Sequence, residues 1–181
     1  MSFYACRFNL YFLLLGTLAC MAVSGCKTGK DEKPEDQVAS LRIFIENRAQ
    51  VTGSGQTVNV LRSSPVLVTV NSDPFLTEAH VIAATVLTTP DQGYAIEVKF
   101  DETGTLILEQ YTSANVGRHL VIFSQWSEYT KDSRWLAAPL ITHRIPNGVL
   151  SFTPDASLEE VKKIVLGLNN MAKKIAKGQM K

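Results

Sequence analysis

The chain has 181 residues and almost balanced charge, with 18 Lys and Arg against 17 Asp and Glu and a net charge of +1. A chain so close to neutrality lacks the basic surface that nucleic-acid binding requires, so we expect no nucleic-acid partner. Its length and its hydrophobic content of 45% are sufficient for one domain with its own core.

The first 25 residues predict a secretory leader. Arg7 precedes an apolar block, Phe8 to Leu18, that is too short for an ordinary membrane span. The leader ends in Val-Ser-Gly before Cys26, which resembles the lipobox of bacterial lipoproteins. We therefore predict a lipoprotein signal peptide at residues 1–25 and lipidation of Cys26, which would anchor the protein to a membrane without spanning it. A transmembrane helix and an unlipidated leader with a chance cysteine are the alternatives.

The segment after the leader predicts a tether. Cys6 and Cys20 lie within the leader, so the mature domain has no cysteine for an internal disulfide. Residues 26–37 are the lipidated cysteine and a charged, polar stretch that cannot bury apolar surface. Many lipoproteins retained at the inner membrane carry aspartate where Lys27 stands. That comparison favours the outer membrane of the cell envelope, with the protein facing the periplasm.

Three short strands are predicted next. Leu41, Ile43 and Ile45 alternate with Arg42, Phe44 and Glu46, which is the period of a half-buried strand. Thr57–Arg62 and Val66–Val70 have the same character, and the glycine-containing segment 52–56 predicts a hairpin loop. We expect the three strands to form one antiparallel set.

The middle of the chain predicts two helices and two strands. A helix is expected over Thr77–Leu87, a strand over Tyr94–Phe100 and a second helix over Thr103–Val116. Gly117 follows the second helix and precedes the apolar strand Leu120–Phe123. Since glycine enters the left-handed conformation without steric cost, we predict a positive φ at Gly117 and treat it as the structural hinge of the domain.

The remaining elements complete an α+β domain at residues 38–178. A polar loop is expected over Ser124–Ser133, followed by an edge strand within Arg134–Ile141, because Pro139 cannot donate to a sheet. Ser157 and Glu160 have the spacing of a capping box, and an amphipathic helix follows. The predicted fold is a largely antiparallel or mixed β-sheet packed against about three α-helices.

The joint at Gly117 carries a family resemblance. The residues concerned are, in chain order, Thr112, Asn115, Val116, Gly117, Arg118, His119 and the strand Leu120–Phe123. Their order resembles the head part of the first periplasmic domain of SecD and SecDF, the accessory subunit of the protein-export translocase. The similarity extends over about residues 73–170, through Ala138-Pro139 and Gly148 to the closing helix. The resemblance implies a SecD head-like fold and a possible link to protein export.

The sequence also departs from that family. Where the translocase subunit has an Asp-Gly turn after the apolar strand, this chain has Ser124-Gln125-Trp126. The sequence also contains no counterpart of the membrane helices that couple proton flow to export in SecD. We therefore do not extend a proton-driven role to this chain.

Residues with catalytic or metal-binding potential are scattered. The three histidines, His80, His119 and His143, lie far apart in sequence. The sequence has no His-x-x-x-His pair of the kind that binds zinc from one helix. Neither Ser124 nor Ser133 has the flanking glycines of a hydrolase nucleophile. We predict no enzyme activity, no catalytic residue, no metal site and no cofactor.

Two functional hypotheses follow. The first is a non-catalytic interaction module that contacts envelope or exported proteins, with Trp126, Tyr129 and Trp135 as the candidate contact, since aromatic residues concentrate at interface hot spots. The alternative is that Trp135 belongs to the core and that Trp126 is an exposed loop residue. The second hypothesis is a ligand-binding or hydrolytic protein whose site is assembled from distant residues, which a histidine clustered with a carboxylate would favour.

Overall fold

A computed structural model of the chain describes residues 34–48, 55–62, 64–91, 93–127 and 132–178. These residues belong to one compact unit, 32–181. The predicted signal peptide, Cys26, most of the predicted tether and Tyr129 lie outside the described residues.

Nine strands and two α-helices are described. The strands are β1 (Ala39–Ile45), β2 (Gly55–Val60), β3 (Val66–Asn71), β4 (Leu76–Thr77), β5 (Val81–Thr88), β6 (Tyr94–Phe100), β7 (Leu120–Trp126), β8 (Asp132–Ala137) and β9 (Val149–Phe152). The helices are α1 (Glu102–Ala114) and α2 (Leu158–Ala176), and a 3₁₀ turn occupies Glu78–His80. All described strand pairings are antiparallel, so the α+β expectation is confirmed with one α-helix fewer than predicted.

The strands form three sheets. β1 and β7 occupy the centre of a four-stranded sheet in the order β4-β1-β7-β8, and a second sheet has the order β5-β6-β9. β2 and β3 form a separate two-stranded sheet, and Val70 of β3 makes an isolated bridge to Glu46, the residue that follows β1. The expectation that these two strands pair with the first in one set is therefore wrong. A separate hairpin covers the larger sheet instead.

The four-stranded sheet has two differently covered faces, because successive side chains of a strand point to opposite sides. The inner face carries Leu41 and Ile43 from β1 and Ile122 from β7, all fully buried in the main core with helix α2. The outer face carries Phe44 and Val121, which pack against the β2-β3 hairpin in a second, smaller cluster. The central sheet therefore separates two apolar clusters of unequal size.

Helix α2 follows the capping pattern of its sequence. The Ser157 hydroxyl accepts a hydrogen bond from Glu160 N at 3.3 Å, and the Glu160 carboxylate accepts one from Ser157 N at 2.7 Å. The inner side of the helix buries Val161, Ile164 and Leu168 completely. Because a capping box satisfies free N–H groups and the apolar stripe drives packing, the predicted final helix is confirmed.

The predicted helix over Thr77–Leu87 is wrong. Its residues form the end of β4 at Thr77, the 3₁₀ turn and most of β5, which pairs with β6. Asn169 of α2 supports this strand, because its side-chain amide accepts from Ala84 N and donates to Ala84 O, both at 2.9 Å. The β-branched residues in this segment favour a strand, and the amide satisfies the backbone groups of Ala84 that the strand leaves unpaired.

The end of the predicted tether belongs to the folded domain. The side-chain amide of Asn170 donates to Pro34 O at 2.8 Å and to Gln37 O at 3.0 Å, and Gln37 is buried. At Gly167 of α2, a Cβ atom would lie 2.6 Å from backbone atoms of Val38 and Ala39. The chain from residue 34 onward is therefore held against α2, and a tether would have to end before it.

Candidate protein-interaction surface

Trp126 cannot serve as the exposed contact that the sequence suggested. The residue ends β7, pairs with Ala39 of β1 and is only 1% exposed, within the main core. The Arg134 guanidinium lies 5.4 Å from the centre of its ring. The expected polar loop at Ser124–Ser133 is also wrong at its start, because the strand continues to Trp126 and the Ser124 hydroxyl donates to Ser40 O at 2.8 Å.

Trp135 lies on the other face of the sheet. It is half-buried in β8, and its ring centre lies 5.2 Å from that of Phe44 and 5.0 Å from that of Phe123. These tilted aromatic contacts place it in the outer cluster beneath the β2-β3 hairpin. Of the three predicted contact residues, one is buried in the inner core, one is partly accessible on the outer face, and Tyr129 lies outside the described residues.

The hairpin offers apolar surface that the sequence analysis did not single out. We call Leu61, Val66 and Leu67 the hairpin tip; they are 40%, 48% and 71% exposed. Leu61 also has a φ of +68°, which is unusual for a residue with a Cβ atom. The sequence contained a signal for the exposed position of Leu67, because Val66, Val68 and Val70 share one side of β3 and leave Leu67 on the other. Which of the two sides is exposed depends on the sheet that the hairpin covers.

A charged cluster fixes β8 to the start of α2. Arg134 donates to Glu160 at 2.9 Å and 3.4 Å and to Asp155 O at 3.0 Å. The hydrogen bond from Arg134 lowers the pKa of the Glu160 carboxyl to about 2. Burial raises this pKa, but hydrogen bonds from the backbone and the side chain of Ser157 also lower it. Asp155 in turn accepts from Arg62 N at 2.7 Å, so the loop between β2 and β3, next to Leu61 of the hairpin tip, is tied to the same corner.

Gly117 has the predicted positive φ, +83°. Helix α1 ends at Ala114, and Gly117 N donates to Ile141 O at 2.8 Å. A Cβ atom built on Gly117 would meet nothing within 4 Å, so the backbone conformation alone requires glycine here. The predicted helix-to-strand joint is confirmed, with the helix ending two residues earlier than expected.

The joint is held to β1 by a second charged group. Glu46 accepts from the backbone N–H of His119 at 2.9 Å and contacts the ring Nδ1 of His119 at 2.7 Å. Arg48 contacts Glu46 at 3.2 Å and also donates to Gly117 O. Burial raises the pKa of the Glu46 carboxyl, but hydrogen bonds from His119 and Arg48 outweigh it and leave that pKa below its ordinary value.

The other histidines are separate from this joint. His80 lies 3.3 Å from both carboxylate oxygens of Asp101, and Asp101 also caps α1 by accepting from Gly104 N at 2.6 Å. His143 contacts the hydroxyl of its neighbour Thr142. Two histidines therefore do contact a carboxylate, an arrangement that favours the ligand-binding hypothesis. Both carboxylates, however, also accept hydrogen bonds from backbone N–H groups.

A cleft lies beside the joint. It has a volume of about 390 Å³ and lies between residues 71–75 and α1, with Ile45 in its wall. Phe75 and Tyr111 both line it and stack on each other, with ring centres 4.2 Å apart and an interplanar angle of 13°. Tyr111 is 37% exposed, so the accessible aromatic surface of the described domain includes this cleft, which the sequence analysis did not predict.

Among the described residues, no three His, Cys, Asp or Glu side chains come together in a group suited to a metal ion. In the same part of the chain, no helix has the length and apolar character to cross a membrane.

Comparisons with known proteins agree with this fold. No curated protein matches the chain. The chain is similar to a structure of SecDF, which is described as a membrane component that enhances protein export. The two share 20% sequence identity with a TM-score of 0.56, over 82% of this chain and 71% of that one. A crystal structure of SecDF in a super-membrane-facing form is similar at 21% identity and a TM-score of 0.55, over 76% of this chain but only 20% of that one.

The family model of the SecDF P1 head subdomain matches residues 55–172. This range begins earlier than the predicted similarity at about residue 73 and so includes the β2-β3 hairpin and its tip. It also contains the joint at Gly117, the Arg134 cluster and most of α2. With more than half of its length matched, the chain belongs to the SecDF P1 head subdomain family.

Proposed function

We propose that this chain is a periplasm-facing, membrane-associated protein whose head domain is a non-catalytic interaction module linked to protein export. The observation that carries the proposal is the family match over residues 55–172. SecDF itself is described as a membrane component that enhances protein export. The transfer of that role to this chain is our inference, since a structural likeness near 20% identity supports the fold alone.

The hairpin tip is the proposed contact for another protein. Its three aliphatic side chains are exposed on one end of a two-stranded sheet, and apolar surface of this kind favours protein contacts. The outer cluster below it, with the half-buried Trp135, holds the hairpin against the central sheet. Trp135 stays in the proposal as the partly accessible aromatic residue of the outer cluster, whereas buried Trp126 does not. Tyr129, which lies outside the described residues, stays in it on the sequence alone.

Membrane association is proposed to come from a lipid on Cys26. The support is the sequence: small residues at 23–25 precede Cys26 at the end of an apolar leader. Lys27 favours the outer membrane. We expect mass spectrometry of the protein purified from envelopes to find a mature N-terminus at Cys26 with added lipid mass. An intact leader or an unmodified Cys26 would contradict this part of the proposal.

Site-specific photo-cross-linking tests the contact. A photoreactive phenylalanine analogue at Leu67 is expected to capture exported or envelope proteins in living cells. The same analogue at Lys163, an exposed residue of α2, is the control. Adducts that are enriched at Leu67 and lost when export is blocked would support a link to export. Identical adducts at both positions, or adducts unaffected by the block, would overturn it.

A further inference from the structure

The last turn of α2 carries a cluster of basic side chains. Lys173, Lys174 and Lys177 line a cavity of about 260 Å³ together with Glu35 and Asn170. Lys173 and Lys177 are exposed, and Lys174 is half-buried. Within the described part of the chain, the ion pairs involve other cations, so these three lysines face a single carboxylate, that of Glu35, across the cavity. We call the three residues the basic end of α2.

The N-terminal segment enters the domain at the same place. Asn170 holds Pro34 and Gln37 through the two hydrogen bonds described above, and Glu35 between them lines the cavity. Close backbone packing at Gly167 continues this contact into β1. The point at which the chain joins the domain is therefore fixed beside the basic end of α2.

Chain length limits how far this point can lie from the proposed lipid. Seven residues, 27–33, separate Cys26 from Pro34. An extended chain spans at most about 3.5 Å per residue, so Pro34 lies within about 28 Å of Cys26 whatever path the chain takes. A lipid on Cys26 would thus keep the basic end of α2 within reach of the membrane surface. Lysines near an anionic membrane surface are attracted to its headgroups.

We infer that Lys173, Lys174 and Lys177 bind the phosphodiester headgroups of anionic phospholipids in the membrane that carries the lipid anchor. This inference rests on the proposed lipidation of Cys26. The three cations supply the charge that such headgroups require, and the cavity among their side chains gives a phosphate room to approach. Because α2 packs against the central sheet, this contact would orient the whole head, with the basic end of the helix toward the membrane.

The orientation can be measured on the lipidated protein purified from envelopes. A fluorophore is attached to the thiol of Ala176→Cys at the exposed end of α2, and the protein is placed in vesicles containing a headgroup quencher. Glu159→Cys, near the other end of the helix, is the matched position, since a rise of 1.5 Å per residue separates the two by about 25 Å. Vesicles of phosphatidylcholine alone are compared with vesicles that also contain phosphatidylglycerol.

Quenching at position 176 is expected to rise several-fold when phosphatidylglycerol is present, while quenching at position 159 stays constant. The combined variant Lys173→Gln, Lys174→Gln, Lys177→Gln should lose this rise. The control variant Lys99→Gln, Lys162→Gln, Lys163→Gln removes the same charge from exposed positions elsewhere and should keep it. Equal quenching in both vesicle types, or an equal loss in both variants, would overturn the inference.

Vesicle flotation separates this inference from the lipid anchor. Retention on phosphatidylcholine vesicles reports the anchor alone, so protein that fails to float with them contradicts lipidation. Such protein still tests the basic end of α2, which should then bind phosphatidylglycerol vesicles in a salt-sensitive way. Each lysine is expected to contribute about fivefold to that partition at low salt. Binding unchanged by the three glutamines would overturn the inference in this case as well.

Discussion

The two faces of the four-stranded sheet differ in what covers them. On the inner face, α2 closes a core that includes Leu41, Ile122 and Trp126, each 1% exposed or less. On the outer face, a two-stranded hairpin covers a cluster centred on Phe44 and Val121 and leaves its own tip exposed. Because apolar burial is the main stabilising contribution to folding, stability should depend mostly on the inner face. The hairpin on the outer face contributes less to this burial, and its exposed tip is the proposed contact for another protein.

The largest effect is expected at the centre of the inner face. Leu168 of α2 is fully buried, and Leu168→Asp would place an unpaired charge in the core. We expect a loss of about 4 kcal/mol or more in the free energy of unfolding. The control is Leu166→Asp, two residues away on the same helix and 38% exposed, which should cost less than about 1 kcal/mol. Denaturant titration measures both, and equal losses would show that α2 does not pack inward.

The two tryptophans compare the faces directly. Trp126→Ala should destabilise by about 3–5 kcal/mol, because it empties a fully enclosed site and removes the ring beneath Arg134. Trp135→Ala should cost about 1–2 kcal/mol, since its ring is only half-buried against Phe44 and Phe123. Thermal and urea unfolding measure the difference. A larger loss for Trp135→Ala would reverse the assignment of the dominant core.

Acid should weaken the contact between β8 and α2. The folded-state pKa of Glu160 is about 2, below its ordinary value of 4.5, so its ionised form stabilises the native state. That contribution is fully present above about pH 4.5 and is lost as the pH falls toward about 2. Its size is on the order of 2 kcal/mol.

Urea unfolding measured across this pH range tests the contribution of Glu160. Glu160→Gln should be less stable than the native chain near neutral pH and should show a flatter pH dependence below about 4.5. Glu159→Gln is the control, since the Glu159 side chain is 78% exposed and forms a surface ion pair with Lys162. Parallel pH profiles for the native chain and Glu160→Gln would contradict the assignment.

The smallest effect is expected at the joint that sets the register of β7. Gly117→Ala should cost about 1 kcal/mol and Gly117→Val more, because a φ of +83° brings Cβ against the backbone. Gly178→Ala, at a similar φ beyond the exposed end of α2, should cost less, since that end can unfold locally. Chemical denaturation measures each change. A stabilised Gly117→Ala would contradict the role of this backbone conformation.

The predictable features of this fold depend on residues close together in sequence. The capping box at Ser157, the apolar stripe of α2 and the glycine after α1 each act within a few residues, so pattern alone is sufficient to recognise them. The candidate contact was less predictable. Trp126 follows polar Ser124 and Gln125, which suggest a loop, and only the pairing with β1 shows that the strand continues.

By itself, the sequence determined the two long helices, the left-handed joint at Gly117 and the family resemblance. These features could be recognised because local backbone preference and side-chain periodicity depend on residues that are close together in sequence. Tertiary structure alone decided that 81–88 is a strand and that Trp126 is buried. In the first case Ala84 finds its hydrogen-bond partner in Asn169, 85 positions away. In the second, Trp126 is enclosed by β1 and Arg134, and the enclosing residues have no local signature in the sequence.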